Sequence, residues 1–291
     1  MKTQPDHQQI HFVTGKGGVG KSTVAASLAF NLAKSGSRVL LLEIGERSFY
    51  KKFFSDNLLF PKKMEFATYS GESCLREYLL HYIKLEKITD LFFGNKVMQA
   101  LIKAAPALKE LALMGKFTSG VRHIGRPMDY DHVVIDCYAT GHFLALMRAP
   151  VGMYEAIQFG PMGEQCLSIQ NVLKDSNFCH YYIVTLAEDL PVAETNELYQ
   201  TLKQEFKVSA SVVVNKIYSQ KWKLWAQSTQ SDHQFVHHIE THIDTQTKSL
   251  RQLDQEANIF AELPMVFENS NHILVEKLAP LLTSAAPGVQ Q

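Results

Sequence analysis

Runs of consecutive apolar residues divide the chain, and segments with apolar residues every three or four positions lie between them. The strongest runs are 10–13, 38–43, 131–136, 180–185 and 209–215, and weaker ones are 155–160 and 259–263. Uninterrupted runs of this length are typical of strands that are buried on both faces. Strands alternating with helices predict an α/β fold, with a mostly parallel sheet covered by helices on both faces.

The stretch 48–125 differs from the rest of the chain. It shows helical periodicity at 72–84, 97–103 and 106–117 and little strand signal. We therefore predict one domain over residues 1–291, with a helical insertion at 48–125 between the second and third strong strands.

Composition narrows the classes of protein. Lys plus Arg equals Asp plus Glu at 29 each, which argues against broad electrostatic binding of nucleic acid or anionic membranes. No apolar run reaches the length of a membrane-spanning helix, and the polar start MKTQPDHQQ does not resemble a signal peptide. The 4 cysteines are far apart, without a C-x-x-C pair, so neither structural zinc nor a disulfide framework is predicted. We expect a cytoplasmic protein that does not insert into membranes.

The segment GKGGVGKST, residues 15–23, matches the phosphate-binding pattern G-x-x-x-x-G-K-S/T and lies between a predicted strand and a predicted helix. Lys21 would reach the β- and γ-phosphates of ATP, and the Ser22 hydroxyl would ligate Mg²⁺. The phosphates would sit at a helix N-terminus, where free N–H groups favour an anion. The predicted nucleotide-binding residues of this loop are Gly15, Lys16, Gly17, Gly18, Val19, Gly20, Lys21, Ser22 and Thr23.

Asp136 ends the predicted strand 131–136, where an acidic residue can hold Mg²⁺ and its waters. Gly141, a few residues later, can offer its N–H to the γ-phosphate and so distinguish ATP from ADP. The alternative is that Asp136 only caps the following turn. We predict Lys21 and Asp136 as catalytic residues, with Ser22 and Asp136 at the metal.

Lys16 makes the loop a K-G-G-V-G-K-S/T sequence, which resembles the deviant P-loop of the MinD, ParA, ArsA and tail-anchored-protein-targeting ATPases. The segment 136–142, DCYATGH, resembles the D-x-x-x-T-G-H motif of the ArsA and tail-anchored-targeting branch, and 185–195 resembles its P-E-x-L-x-x-x-E-T segment. Asn215 and Lys216 lie where the family places an asparagine that reads adenine.

The resemblance implies a dimeric ATPase that uses ATP and Mg²⁺. By the same resemblance Lys16 would be a further catalytic residue that crosses the dimer interface to the partner's nucleotide, whereas the alternative is a solvated loop lysine. Because this chain holds one P-loop, it would form a homodimer or a heterodimer with a related ATPase.

The chain departs from the family's first switch, D-P-A-x-x-L-x-D-x-F. Gly45 replaces the aspartate that supports Mg²⁺, and Lys52 replaces the aspartate that orients water. A charged lysine accepts no proton, so Lys52 cannot act as a base. Glu43 or Glu46 could substitute only if the loop shifts. We expect slow ATP hydrolysis, or a catalytically weak regulatory or assembly subunit that pairs with a related ATPase.

A stripe of apolar residues runs through 101–117 and would bind a hydrophobic helical client or a membrane-protein partner, or would simply be core. The histidines at 233, 237, 238 and 242 form two i,i+4 pairs, consistent with a transition-metal site or, alternatively, a solvated helix face. The leading hypothesis is a dimeric ATPase that couples nucleotide state to a helical binding surface. A ParA- or MinD-like positioning ATPase is disfavoured by the T-G-H motif and the neutral charge.

Overall fold

The computed structural model describes residues 8–54, 61–83, 106–124, 128–219, 221–222, 224 and 233–285. In these ranges the strands are β1 Gln9–Gly15, β2 Val39–Ile44, β3 Met64–Tyr69, β4 His132–Ala139, β5 Cys179–Leu186, β6 Ala210–Ile217 and β7 Ile259–Pro264. They form a 7-stranded sheet in the order β3-β2-β4-β1-β5-β6-β7. Every pair is parallel, which confirms the predicted α/β architecture.

Helices cover both faces of the sheet. They are α1 Lys21–Lys34, α2 Phe49–Phe53, α3 Gly71–Ile83, α4 Pro106–Phe117, α5 Thr140–Ala156, α6 Gly160–Lys174, α7 Asp189–Thr201, α8 His233–Glu256 and α9 Asn271–Leu278. A π-helical turn, Leu202–Phe206, follows α7, and a 3-10 segment, Ala279–Ala285, follows α9. No helix in the described ranges is both long and apolar enough to cross a membrane.

Three details of the sheet differ from the sequence prediction. β3 lies within the stretch predicted to be helical, as an edge strand that pairs with β2. The weak run at 155–160 is wrong as a strand, because α5 continues to Ala156 and α6 begins at Gly160. β4 continues three residues beyond Asp136 to Ala139. The helical patterns at 72–84 and 106–117 match α3 and α4, whereas 97–103 lies outside the described residues.

The core has one layer on each face of the sheet. In β1, Phe12 points to one layer, where its ring stacks on Tyr181 at 5.2 Å between centroids. Val13 points to the other layer, which contains Leu28 of α1 and Val275 of α9. Because both faces of β1 are buried, the loop that follows it starts from a fixed position.

Three histidines lie side by side on neighbouring central strands. His11 Nε2 is 3.0 Å from His132 Nδ1, and the His11 ring stacks on His180 at 5.1 Å between centroids. Burial lowers the pKa of His11 and His132, although Asp131 opposes the shift at His132. Burial and the neighbouring His132 lower the pKa of His180 to about 4. The cluster is therefore neutral when the protein is folded at neutral pH.

Acid is expected to destabilise the protein through this cluster. Unfolding returns each histidine to a pKa of about 6.5, so the unfolded chain binds more protons below that pH. Stability is complete above about pH 6.5 and is lost as the pH falls toward the folded pKa of His180, at a cost on the order of 1–3 kcal/mol for this residue. Urea denaturation at several pH values measures this loss.

The variant His180→Phe tests whether His180 causes this loss of stability in acid. The phenyl ring keeps the stacking on His11, and no partner is found within the described chain for the buried His180 Nε2. The variant should show a flatter pH dependence than the wild type, whereas replacing the exposed His237 by Gln should leave it unchanged. An equally steep acid loss in His180→Phe would contradict the assignment.

Candidate nucleotide site

At both ends of the loop between β1 and α1, the backbone conformation requires glycine. Gly15 has a φ of 142°, and an added Cβ would lie 2.1 Å from the carbonyl oxygen of Val184. Gly20 has a φ of 97°, and its Cβ would lie 2.4 Å from Nδ2 of Asn215. Both positions are therefore fixed by the fold itself.

The two glycines in the middle of the loop are not confined by the fold in this way. An added Cβ at Gly17 or Gly18 would meet no atom of the described residues within 4 Å, and of these two only Gly18 has a positive φ, 84°. Nothing in the described chain crowds Gly17, so the missing side chain leaves room for a ligand to approach the backbone.

The first turn of α1 points its N–H groups toward this open side. α1 begins at Lys21, directly after Gly20, with no side chain capping it and no acidic residue in its first turn. Its positive end is therefore not compensated by a side chain of the helix itself. Lys21 adds a cation, and its Nζ donates to the carbonyl oxygen of Lys16 at 2.9 Å across the loop. Burial lowers the pKa of Lys21, and the charge of Asp136 opposes this.

Asp136 lies next to the start of α1. On β4 it is in register with Val13 of β1 and Glu43 of β2. Its carboxylate accepts hydrogen bonds from the Ser22 hydroxyl and, at 3.0 Å, from the Tyr50 hydroxyl. Burial raises the pKa of Asp136, and these two hydrogen bonds oppose the shift. Asp136 does not cap α5, whose N-cap is Ala139.

The structure thus brings together the two residues that the sequence analysis placed at Mg²⁺. The hydroxyl of Ser22 and the carboxylate of Asp136 are hard oxygen donors in direct contact, and Mg²⁺ prefers such donors. The donor set therefore fits the ion.

The β2–α2 segment holds two residues with roles that the sequence analysis did not assign. Glu43 is buried, and its Oε1 accepts the N–H of Phe49, the first residue of α2, at 2.5 Å. The N-cap of this helix is Ser48. Tyr50 is 1% exposed and reaches Asp136. Glu43 therefore helps to fix this segment through one carboxylate oxygen, whereas Lys52 is exposed. No motif in the sequence could have identified Tyr50.

An open cavity of about 510 Å³ borders the same segment. It is lined by Gly45, Glu46, Thr68, Ser70, Glu72, Ser73 and Arg76. Glu46 is exposed at this cavity, whereas Asp136 is half-buried and is not one of the residues that line it. The two carboxylates therefore do not share this cavity.

The segment after β4 forms the first turn of α5. Thr140, Gly141 and His142 begin this helix, and Gly141 is exposed, with nothing within 4 Å of an added Cβ. Thr14 donates its hydroxyl to the carbonyl oxygen of Tyr138 at 2.9 Å, which ties β1 to this end of β4. The Gly141 backbone is therefore accessible at the edge of the sheet where the parallel strands end, and the loop of residues 15–23 lies at the same edge.

Lys16 pairs with a residue of its own chain. Its Nζ is 2.6 Å from Oε1 of Glu194 in α7, and the two side chains are 39% and 42% exposed. An ion pair with this exposure contributes at most about 1 kcal/mol. Lys16 can therefore exchange this partner for another anion at little cost.

Asn215 supports the loop from β6. Its Nδ2 donates to the carbonyl oxygen of Val19 at 2.9 Å, and its Oδ1 accepts the N–H of Lys216 at 2.9 Å. Lys216 adopts a left-handed backbone with a φ of 59°. Contact of Asn215 with an adenine remains a prediction, whereas its contact with the loop is part of the fold.

Most of the apolar stripe in the predicted insertion is core. Leu111, Leu113, Met114 and Phe117 of α4 are 0–3% exposed, and they pack in the layer that contains Phe12. Residues 101–102 of the stripe lie outside the described residues. These four residues of the stripe therefore do not form a surface for a client.

The histidine pairs lie on α8. The rings of His238 and His242 are 4.5 Å apart between centroids, and both side chains are exposed. In the described ranges, no group of three or more His, Cys, Asp or Glu side chains could hold a metal ion.

The parallel sheet, the glycine loop after β1, and α1 with Lys21 and Ser22 at its start define the protein as a P-loop NTPase of the α/β class. The model of the ArsA ATPase family, described as anion-transporting ATPase, matches residues 8–161, more than half of the chain. The chain belongs to this family, which confirms the resemblance inferred from the motifs.

Several bacterial proteins that are similar to this chain are named as ATPases. ATPase BagA of Mycobacterium tuberculosis is 31% identical over 222 residues, which cover 72% of this chain and 65% of BagA. The arsenical pump-driving ATPase of Escherichia coli is 29% identical over 167 residues, and that of Acidiphilium multivorum is 28% identical over 164 residues. Each alignment covers 54% of this chain and 28% of the pump ATPase. The chain thus spans 65% of BagA and little more than a quarter of the pump proteins.

Proposed function

We propose that this protein is a Mg²⁺-dependent ATPase that binds ATP on the loop of residues 15–23. The observation that carries the proposal is the combination of an uncapped α1 N-terminus, the cation of Lys21 and the Ser22–Asp136 contact at one point. Backbone N–H groups of the loop would bind the phosphates, and Lys21 would neutralise their charge.

Ser22 and Asp136 would hold Mg²⁺, which supplies positive charge beside the phosphates when it is bound. Within this chain, Asp136 fixes the Ser22 hydroxyl, and Asn215 fixes the loop backbone at Val19. Gly141 would offer its N–H to the terminal phosphate, because its backbone is accessible at the start of α5. These groups are arranged before the ligand arrives, which lowers the cost of binding.

The active species would be a dimer, either of two copies of this chain or of this chain with a related ATPase. Lys16 would leave Glu194 and contact phosphates bound by the partner. A cation contributes most to charge stabilisation in a closed interface that excludes water. Since the pair with Glu194 is half-exposed and weak, dimer closure can supply the free energy that the exchange requires.

The alternative is a catalytically weak ATP-binding subunit with a regulatory or assembly role. The state of the first switch favours it: Lys52 is exposed, and Glu43 is buried with its Oε1 on the N–H of Phe49. Loss of a water-positioning group slows phosphoryl transfer while nucleotide binding persists. Slow hydrolysis is therefore part of the leading proposal as well.

Nucleotide state would control a helical surface that binds a hydrophobic helical client or a membrane-protein partner in the cytoplasm. The proposal rests on the position of the β2–α2 segment, which lies between Asp136 and β3. Ordering by nucleotide and Mg²⁺ is a common way to couple such a segment to a binding surface. Because Leu111, Leu113, Met114 and Phe117 of α4 are core, the surface would involve other residues of the 48–125 stretch.

Two lysine variants test the proposal. Lys21→Ala should lower ATP affinity by at least about tenfold, because it removes a cation beside the phosphates. Lys16→Ala should bind ATP like the wild type yet lose most of its turnover, because its target is the partner's nucleotide. Calorimetric titration with ATP and a steady-state phosphate-release assay measure the two effects.

Lys34→Ala is the control, since Lys34 lies at the other end of α1 and pairs with Glu276. It should match the wild type in both assays. Full ATP affinity in Lys21→Ala would refute the site, and equal turnover in Lys16→Ala would refute the exchange across a dimer. Binding without turnover in the wild type would favour the regulatory subunit.

A further inference from the structure

Tyr50 joins three segments around the candidate Mg²⁺ site. It is the second residue of α2, and its hydroxyl lies 3.0 Å from the Ser22 carbonyl oxygen and 3.0 Å from Asp136 Oδ2. Ser22 opens α1 and Asp136 lies on β4, so a residue of the β2–α2 segment touches both predicted metal ligands. A phenol has one proton and can therefore donate to one of these oxygens at a time.

The ring of Tyr50 is held independently of its hydroxyl. Its centroid lies 5.5 Å from that of Phe49, 5.9 Å from those of Phe53 and Phe54, and 6.1 Å from that of Phe66. Glu43 and Ser48 fix the backbone of α2 through the N–H groups of Phe49 and Lys51. A packed aromatic cluster therefore holds the hydroxyl beside Asp136.

We propose that Tyr50 is a positioning residue that orients the Asp136 carboxylate for Mg²⁺ and couples the β2–α2 segment to occupancy of the site. The inference rests on the proposed function. In the D-P-A-x-x-L-x-D-x-F pattern that this segment resembles, Tyr50 falls on the leucine, which has no hydroxyl. A chain that keeps the leucine cannot make this hydrogen bond from that position. In this chain the hydrogen bond occurs together with the changes at Gly45 and Lys52.

The coupling follows from the single proton of the phenol. When an ion is bound, the Tyr50 hydroxyl would donate to Asp136 Oδ2 and hold the carboxylate in the orientation that faces the ion. When the site lacks the ion, the same proton can turn to the Ser22 carbonyl oxygen, at the same 3.0 Å distance, without moving the ring. The β2–α2 segment therefore has two hydrogen-bonded arrangements with the same backbone.

Tyr50→Phe tests the proposal, because it keeps the aromatic cluster and removes the hydroxyl. The readout is the factor by which Mg²⁺ strengthens ATP binding, from calorimetric titrations with and without the ion. In Tyr50→Phe this factor should fall at least about fivefold, the size expected from loss of one hydrogen bond to a charged group. ATP affinity without Mg²⁺ should remain within about twofold, since the loop itself is unchanged.

Tyr181→Phe is the matched control. Tyr181 is also buried, and its hydroxyl donates to the carbonyl oxygen of Leu173 at 2.6 Å, away from Asp136. It should retain the full effect of Mg²⁺. An unchanged Mg²⁺ factor in Tyr50→Phe overturns the inference while the proposed function stands. Absence of ATP binding in the wild type overturns both.

A double-mutant cycle in the nucleotide-free protein provides a second measurement. Tyr50→Phe and Asp136→Ala should shift the urea midpoint by amounts that do not add, because each removes the same hydrogen bond. Additive shifts would show that the hydroxyl does not act through Asp136, and they would overturn the inference even if ATP binding were weakened.

Discussion

Gly15→Ala is expected to destabilise the protein by about 3–5 kcal/mol, a loss typical of forbidden backbone geometry in a packed site. The φ of Gly15 is 142°, and the new Cβ would lie 2.1 Å from the Val184 carbonyl oxygen. That oxygen belongs to the backbone of β5, so no side-chain rotation can relieve the clash. Urea denaturation of the nucleotide-free protein measures the change.

Gly17→Ala is the comparison within the same loop. Its Cβ would meet nothing within 4 Å, so the expected change in unfolding free energy is within about 0.5–1 kcal/mol. ATP affinity should nevertheless fall, because the methyl group enters the space that the phosphates need. A Gly17→Ala variant with normal ATP affinity would contradict the phosphate cradle, and a stable Gly15→Ala variant would contradict the backbone geometry.

Asp136→Asn is expected to reduce ATP turnover by at least about a hundredfold, because it removes the only charge that Asp136 can offer to Mg²⁺. The nucleotide-free protein should keep or gain thermal stability. The amide of the variant would still present an oxygen to the Tyr50 hydroxyl, and the cost of burying a carboxylate would be gone. Turnover at saturating ATP and a thermal melt test the two expectations.

Asp175→Asn serves as the control, since Asp175 lies in the turn before β5 and accepts the N–H of Asn177. It should leave turnover unchanged and should lower stability slightly through the weaker turn. Normal turnover in Asp136→Asn would remove Asp136 from the site. A large loss of stability would show instead that its charge supports the fold.

The central part of the molecule was predictable because its residues carry strong local signals. The continuous apolar run of β4 and the glycine pattern after β1 depend on their own sequence, and both elements occur as predicted. β3 escaped prediction because an edge strand is exposed on part of its surface, so Glu65 and Thr68 interrupt its apolar residues.

The sequence predicted the residues that would bind nucleotide and Mg²⁺, but not the residues that hold them in position. Lys21 and Ser22 follow from the loop pattern, and Asp136 follows from its strand. Tyr50 acts through a contact with Asp136, which lies 86 positions further along the chain. Glu43 acts on the N–H of Phe49, within its own segment. No local sequence pattern marks the contact between Tyr50 and Asp136, because the two segments meet only through the order of the strands in the sheet.

The position of each strand in the sheet also sets how freely this protein can change in evolution. The loop after β1 grows from a strand between two neighbours, and its glycines are confined by β5 and β6. The β2–α2 segment lies toward the edge, next to β3. There a Cβ added at Gly45 would meet no atom of the described chain within 4 Å, and Lys52 is exposed. Sequence drift at these two positions therefore alters chemistry with little effect on folding. A lineage can lose the first switch and still inherit an intact phosphate-binding loop.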